Sequence, residues 1–139
     1  MNTGKRTLIH IEDRMEDIQL VKRVLEKQFD DVAVVSLNDS EKVMEEISNG
    51  SFLKRRPFLI VMDIKMPKIT GLELLRELRS RDEYKRIPCV ILSSSTHPND
   101  LQEAYDHHVN SYVEKPKNFA NLRATLVTLV NYWLNLNLT

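Results

Sequence analysis

Residues 58–71 constrain this chain most. Five apolar residues, Phe58-Leu59-Ile60-Val61-Met62, run straight into Asp63, and Pro67 and Gly71 follow before a new helical pattern begins. A short, unbroken apolar run bounded by turn residues predicts a strand buried on both faces, as in a parallel sheet. A carboxylate at the C-terminal tip of such a strand lies where open α/β sheets take ligands. Asp63 also reads as a loop aspartate that caps the next turn. The rest of the chain decides between these readings.

The pattern around this strand repeats. Thr7–Ile11 reads as a strand that ends in Glu12-Asp13. From Met15, the apolar residues Ile18, Val21, Leu25 and Phe29 fall at helical spacing. Val32–Leu37 is short and valine-rich, hence a second strand. Asn38-Asp39-Ser40 caps a helix that turns Val43, Met44 and Ile47 inward and stops at Asn49-Gly50. After the third strand, Leu72, Leu75 and Leu78 mark a helix ending near Asp82. Ile87–Leu92 is a fourth strand, running into Ser93-Ser94-Ser95-Thr96. Pro98 opens a fourth helix, a position where proline is tolerated. Asn110–Val113 is a fifth strand, closed by Glu114-Lys115-Pro116. From Asn118 the pattern is helical almost to the end, with Phe119, Leu122, Leu126, Leu129 and Trp133 on its core face. Five strand–helix alternations favour one parallel sheet covered on both faces. The expected fold is α/β, a flavodoxin-like (βα)5 doubly wound sheet in the order 2-1-3-4-5. One domain is expected over residues 1–139, with a lead-in at 1–5 and a long C-terminal helix and tail at 118–139.

Charge narrows the partners. Twenty basic and twenty acidic side chains cancel, which argues against a broad nucleic-acid surface and leaves a local basic patch open. Lys54-Arg55-Arg56 reads as solvated loop charge. No apolar run is long enough to span a bilayer, and no signal peptide precedes the first strand. Cys89, the one cysteine, sits in an apolar run and reads as a core residue. A cytoplasmic location is the expectation.

Polar residues gather at the strand ends: Glu12 and Asp13 after the first, Asp63 after the third, Ser93 after the fourth, Lys115 after the fifth. A parallel sheet brings these ends to one edge. Clustered carboxylates repel unless a partner offsets their charge. Magnesium, which takes few carboxylates with water and phosphate oxygens, is such a partner. A lysine and a hydroxyl opposite it suit phosphoryl oxygens. Asp63 then serves as a nucleophile that takes the phosphoryl group. Taken singly, Glu12 and Asp13 also read as helix caps, Ser93 as a turn residue and Lys115 as a surface lysine.

The ordered set Glu12-Asp13, Asp63-x-x-Met66-Pro67-x-x-x-Gly71, Ser93, Tyr112 and Lys115-Pro116 resembles the response-regulator receiver domain of two-component signalling, from about Arg6 to the last helix. The resemblance implies Asp63 as the phosphoacceptor, supplied by a histidine kinase or a phosphotransfer protein. It implies Mg2+ held by Asp13, Asp63 and the main-chain carbonyl of Lys65, with Glu12 assisting through water. Lys115 pairs with the phosphoryl oxygens, and its bond to Pro116 is expected to be cis. Ser93 moves toward the phosphoryl group and Tyr112 swings inward, a population shift driven by local charge.

The segment Tyr105–Pro116 further resembles small regulators paired with bacterial and cyanobacterial phytochromes. His108 stands where many receivers carry glycine. His107 and His108 read as helix-end residues, with metal binding or proton sensing as the alternative. Two positions depart from the commoner pattern. Lys65 stands two residues past the acceptor and is expected to prolong the phosphorylated state. Ser93 replaces threonine and keeps the hydroxyl.

No DNA-binding or enzymatic domain is expected after the last helix, so output falls to protein contact or to relay to a further phosphotransfer protein. Val127, Val130, Leu134 and Leu138 form a second apolar stripe, read as a homodimer interface; the alternative is a tail folded on its own domain. Three rivals compete. A haloacid dehalogenase-type phosphatase needs an aspartate where Lys65 stands. A nucleotide module needs a glycine-rich loop after the first strand, and none is present there. An unphosphorylated scaffold leaves the acidic pair, the hydroxyl and the lysine unexplained.

Overall fold

Hydrophobic alternation along five short strands sets the architecture. The structure, a computed structural model, describes residues 4–138. The expected lead-in therefore lies outside the described residues at positions 1–3, and the tail does so at 139. Strands β1 (Arg6–Ile11), β2 (Val32–Leu37), β3 (Pro57–Met62), β4 (Cys89–Ser93) and β5 (Ser111–Glu114) form one parallel sheet in the order 2-1-3-4-5. Helices α1 (Met15–Gln28), α2 (Ser40–Asn49), α3 (Gly71–Arg79), α4 (Pro98–Asp106) and α5 (Phe119–Asn131) cross between the strands or follow the last. The expected fold is the one observed.

Side chains on a strand alternate between faces, and two cores result. On one face Ile9, Ile11, Ile60, Met62 and Ile91 pack with Val43, Ile47 and Leu75 from α2 and α3. On the other, Leu8, Val34, Leu59, Val61 and Val90 pack with Leu25 of α1 and Leu126 of α5. Every residue of β3 is buried, the property its unbroken apolar run demanded. Cys89 is buried in the first core.

Local chemistry sets the ends of the elements. Asp39 Oδ1 accepts the N–H groups of Glu41 and Lys42 and caps α2; Gly50, at φ 86°, ends it. Thr70 and Glu73 exchange hydrogen bonds in a capping box that starts α3. Boundaries moved where proline or a tight turn intervened. Helix α3 stops at Arg79, and residues 82–84 form a separate short turn. Strand β4 begins at Cys89, after Pro88, which cannot donate to the ladder. Strand β5 runs Ser111–Glu114, shifted one residue toward the C-terminus from the expected span.

The C-terminal segment corrects one expectation. Helix α5 buries Leu122, Leu126 and Val130, and the next turn, Tyr132–Leu136, widens to a 2.8 Å bond from Asn137 N–H to the Tyr132 carbonyl. Leu134 is buried in the chain's own core, held beside β1 by Arg6 Nη1 donating to its carbonyl at 2.8 Å. Val130 and Leu134, half of the stripe read as a dimer interface, are thus core residues. Phe119 is exposed instead, and Leu129 and Trp133 are only partly buried. The buried residues Leu122, Leu126, Val130 and Leu134 recur every four residues, so the core face is that row rather than the one through Phe119, Leu129 and Trp133.

Candidate functional site

The parallel order brings the C-terminal ends of β1, β3, β4 and β5 to one edge, where one ammonium meets three carboxylates. Asp63 follows β3 and is only 6% exposed. Its Oδ1 accepts the main-chain N–H of Ile64 at 2.6 Å and of Lys65 at 3.4 Å; its Oδ2 accepts Lys115 Nζ at 3.3 Å. Glu12 follows β1 and is 1% exposed. Its Oε1 accepts Lys115 Nζ at 3.2 Å, and its Oε2 accepts the N–H groups of Asp13 and Arg14. Lys115 is fixed by its own N–H, which donates to the Ser93 carbonyl at 2.8 Å.

The third carboxylate is Asp17, whose Oδ2 lies 3.1 Å from Lys115 Nζ. The sequence reading missed it. Asp17 lies one helical turn beyond Asp13, and the pair Asp13/Asp17 at i,i+4 across the start of α1 was the available signal.

Burial and charge act together here. Burial pushes the Glu12 carboxyl up to about 7; Lys115 acts against that rise, and the neighbouring Asp63 adds to it. Burial also disfavours the Lys115 ammonium, but Asp63, Glu12 and Asp17 outweigh it and raise the lysine above its ordinary value. His10, buried on β1, is lowered to about 4 by burial and then by Lys115. It therefore stays neutral near pH 7 and adds no second cation. Its Nδ1 and the hydroxyl of Ser36, its register partner on β2, are both buried without a hydrogen bond.

Gly71 explains the end of the Asp63–Gly71 motif. Its N–H donates to the Ile64 carbonyl at 2.9 Å, and a Cβ there would overlap the Asp63 carbonyl. Only glycine lets the start of α3 pass this close to the Asp63 backbone. Ser40 Oγ, donating to the Pro67 carbonyl at 2.8 Å, pins the same loop to α2.

Ser93 is fully buried at the end of β4, and its Oγ accepts the Ser95 N–H at 3.2 Å. The Tyr112 hydroxyl donates to the Ser95 carbonyl at 2.8 Å, and its ring packs against the core. Ser93, Ser95 and Tyr112 thus form one connected path.

Two further residues find their places. His108 takes φ 62° beyond α4, and its carbonyl accepts Arg79 Nε. The same guanidinium binds the Tyr84 and Ile87 carbonyls and the Asn110 side chain. His108 is a turn residue held by Arg79, which is the helix-end reading. The Lys115–Pro116 bond is trans, since no cis peptide occurs among the described residues; this corrects the cis expectation. The ammonium already reaches three carboxylates with that bond trans, so their contacts do not require the other isomer.

The donor set at this edge is all oxygen. Asp13 is half-buried beside Glu12, and its carboxylate has no hydrogen bond or ion pair among the described residues. Among those residues no group of three His, Cys, Asp or Glu side chains is spaced as a ready metal cage. Lys115 sits among Glu12, Asp17 and Asp63 and offsets part of their charge, while Asp13 receives none of that offset. Such donors fit a hard ion that keeps much of its shell as water or phosphate oxygen, rather than one enclosed by protein.

The comparisons agree with this geometry. Residues 8–127 match the response regulator receiver domain model. The response regulator Rcp1 of Synechocystis sp. is 30% identical over 131 residues, 93% of this chain and 89% of the relative. A probable methanogenesis regulatory protein, FilR2 of Methanothrix harundinacea, is 30% identical over 134 residues, 94% of this chain and 84% of the relative. Among solved structures, the phosphorylated cyanobacterial phytochrome response regulator RcpA superposes with a TM-score of 0.88 at 32% identity, over 96% of this chain and 97% of that one. The Mn2+-bound form of Rcp1 gives 0.86 at 30% identity over the same shares. With the acidic strand ends, the lysine and the sheet order in place, this chain belongs to the response-regulator receiver domain family of two-component signalling.

Proposed function

We propose that Asp63 accepts a phosphoryl group from a phosphohistidine and that the chain signals through the resulting change of surface. The donor is a sensor histidine kinase of the phytochrome type, in keeping with the description of RcpA, or a histidine phosphotransfer protein. The observation that carries the reading is the Lys115 ammonium, 3.1–3.3 Å from the carboxylates of Glu12, Asp17 and Asp63. An oxyanion arriving at Asp63 meets a cation already in place.

In the transfer, one Asp63 carboxylate oxygen attacks phosphorus. The P–N bond breaks, its electron pair stays on the imidazole nitrogen, and that nitrogen takes a proton. The product is an acyl phosphate on Asp63. Mg2+, held by Asp13, Asp63 and the Lys65 carbonyl with Glu12 assisting through water, would supply charge neutralisation at the phosphoryl oxygens. Lys115 exchanges a carboxylate for a phosphoryl oxygen. Ser93 turns its hydroxyl to the new group and gives up the Ser95 N–H. The Ser95 carbonyl holds Tyr112, so this exchange re-sets Tyr112 and the surface around β5. The chain is a phosphoacceptor of the cytoplasm rather than an enzyme with a substrate of its own, and its output is protein contact.

Intact mass after incubation with magnesium and a small acyl phosphate tests the reading. A stoichiometric, alkali-labile adduct is expected, absent from Asp63→Asn; continuous turnover of phosphate esters would instead make the protein a phosphatase. The exposed Lys65 side chain beside the acceptor slows loss of the adduct, so Lys65→Asn shortens its life; equal lifetimes reject that role. Self-association through α5 and the turn that follows it is proposed on the exposed Phe119, Tyr132 and Leu136 in place of the buried stripe. Sedimentation of the phosphorylated and unphosphorylated chain decides it, and a monomer in both states rejects it.

A further inference from the structure

At the opposite edge of the sheet, where β1 and β3 begin, lies a cleft of about 590 Å³. Lys5, Arg6, Lys54, Arg55, Arg56 and Arg86 line it, and no carboxylate does. In a chain whose formal net charge is zero, this is a strong local excess of cations. Two of the lining arginines are otherwise engaged. Arg55 is held by both carboxylate oxygens of Glu46, at 2.7 and 2.8 Å, and Arg6 is held by the Leu134 carbonyl and the Phe58 ring. The side chains of Lys54, Arg56 and Arg86 have no hydrogen bond or ion pair among the described residues.

Two observations turn this charge into a site. Arg56, which ends the short helical turn Ser51–Arg55, takes φ 47°, a conformation uncommon for a non-glycine residue. It sets the Arg56 side chain between two cavities. The second cavity, about 490 Å³, shares Lys54, Arg56, Pro57 and Ile87 with the first and adds Gly50 and the exposed side chain of Leu53. Its walls are largely apolar.

Paired cations call for more than one anionic oxygen group, and the adjoining apolar pocket calls for a hydrophobic or aromatic body joined to them. We propose that this cleft binds a nucleoside polyphosphate, with the phosphates at Lys54, Arg56 and Arg86 and the base against Leu53, Pro57 and Ile87. The site is distinct from the Asp63 edge and does not depend on phosphorylation there.

Calorimetric titration of the full chain with ATP, inorganic tripolyphosphate and adenosine tests the assignment, in EDTA so that no metal bridges the ligand to the acidic edge. ATP is expected to saturate one site, tripolyphosphate to bind more weakly and adenosine not to bind. Lys54→Glu/Arg56→Glu/Arg86→Glu is expected to weaken ATP by about tenfold or more, equivalent to about 1.4 kcal/mol. Leu53→Asn, which removes apolar surface without adding charge, is expected to weaken ATP while leaving tripolyphosphate unchanged. Circular dichroism and adduct formation at Asp63 confirm that both variants fold. No saturable ATP binding, or binding unmoved by the triple variant, overturns the site. Equal affinity for tripolyphosphate and ATP overturns the nucleoside assignment, and tighter binding of a single-stranded oligonucleotide overturns the small ligand.

Discussion

Strands β1 and β3 each begin in a basic cleft and end among carboxylates. At the acidic edge the charges are buried and mutually engaged: Glu12 and Asp63 are 1% and 6% exposed, and both accept hydrogen bonds from Lys115. At the basic edge the side chains of Lys54, Arg56 and Arg86 are exposed and engage nothing among the described residues. Both edges depart from electrical balance, but only the buried one must be compensated within the protein. Water solvates the exposed excess at little cost; burial leaves an unpaired charge expensive. The acidic edge should therefore dominate stability and its pH dependence, while the basic edge should matter only to binding.

Four measurements can break or sharpen that contrast. The largest effect is expected for Lys115→Ala, which leaves three carboxylates without their cation. A loss of about 3–5 kcal/mol in urea unfolding at pH 8 follows, partly restored by Mg2+; an unchanged midpoint would mean the carboxylates are solvated after all.

Glu12→Gln comes next. The Glu12 carboxyl titrates near 7 in the fold, against an ordinary value of 4.5. The folded state thus holds a proton that the unfolded state has lost between those values. Its contribution to stability is present below about pH 4.5 and is lost as pH rises through about 7. His10, lowered to about 4, works in the opposite sense, its contribution present above its unfolded value and lost as pH falls through about 4. Removing the Glu12 ionisation should make the variant gain on the parent by on the order of 2–3 kcal/mol between pH 4.5 and 7. Parallel stability–pH curves would exclude Glu12 as the titrating group.

Gly71→Ala drives a methyl group into the Asp63 carbonyl. A loss of about 2 kcal/mol is expected from overpacking, together with slower adduct formation as the Asp63 loop shifts. The smallest effect belongs to the basic edge. The Lys54/Arg56/Arg86 charge reversal should leave the unfolding free energy within about 0.5 kcal/mol of the parent; a larger loss would show that the cations there support the fold.

Much of the acidic site was legible before folding, and the reasons are specific. Asp63 ends an unbroken apolar run that reads as a doubly buried strand, and the strand–helix alternation on either side placed that strand in a parallel sheet with Asp63 at its edge. Glu12, Ser93 and Lys115 each end a strand of their own, so the parallel order brought them together. Asp17 was missed because it belongs to a helix, and its approach to Lys115 depends on where α1 packs. The tail was misread for a similar reason: two apolar rows run along α5, and only its packing on the sheet decides that Leu122, Leu126, Val130 and Leu134 form the buried one. The basic cleft was visible only as Lys54-Arg55-Arg56, whose middle residue proves to be the one neutralised by Glu46.

By itself the sequence determined the alternation of five strands and five helices, their parallel order and the strand-end groups. Those features rest on local periodicity and on the short-range rules of chain connection. Only the tertiary structure decided which charges meet. Contacts such as Lys115 with Asp17 and Arg6 with the Leu134 carbonyl join residues far apart in the chain, and Lys54 and Arg86 line one cleft. Their free energy depends on distance and burial, which spacing along a sequence does not record.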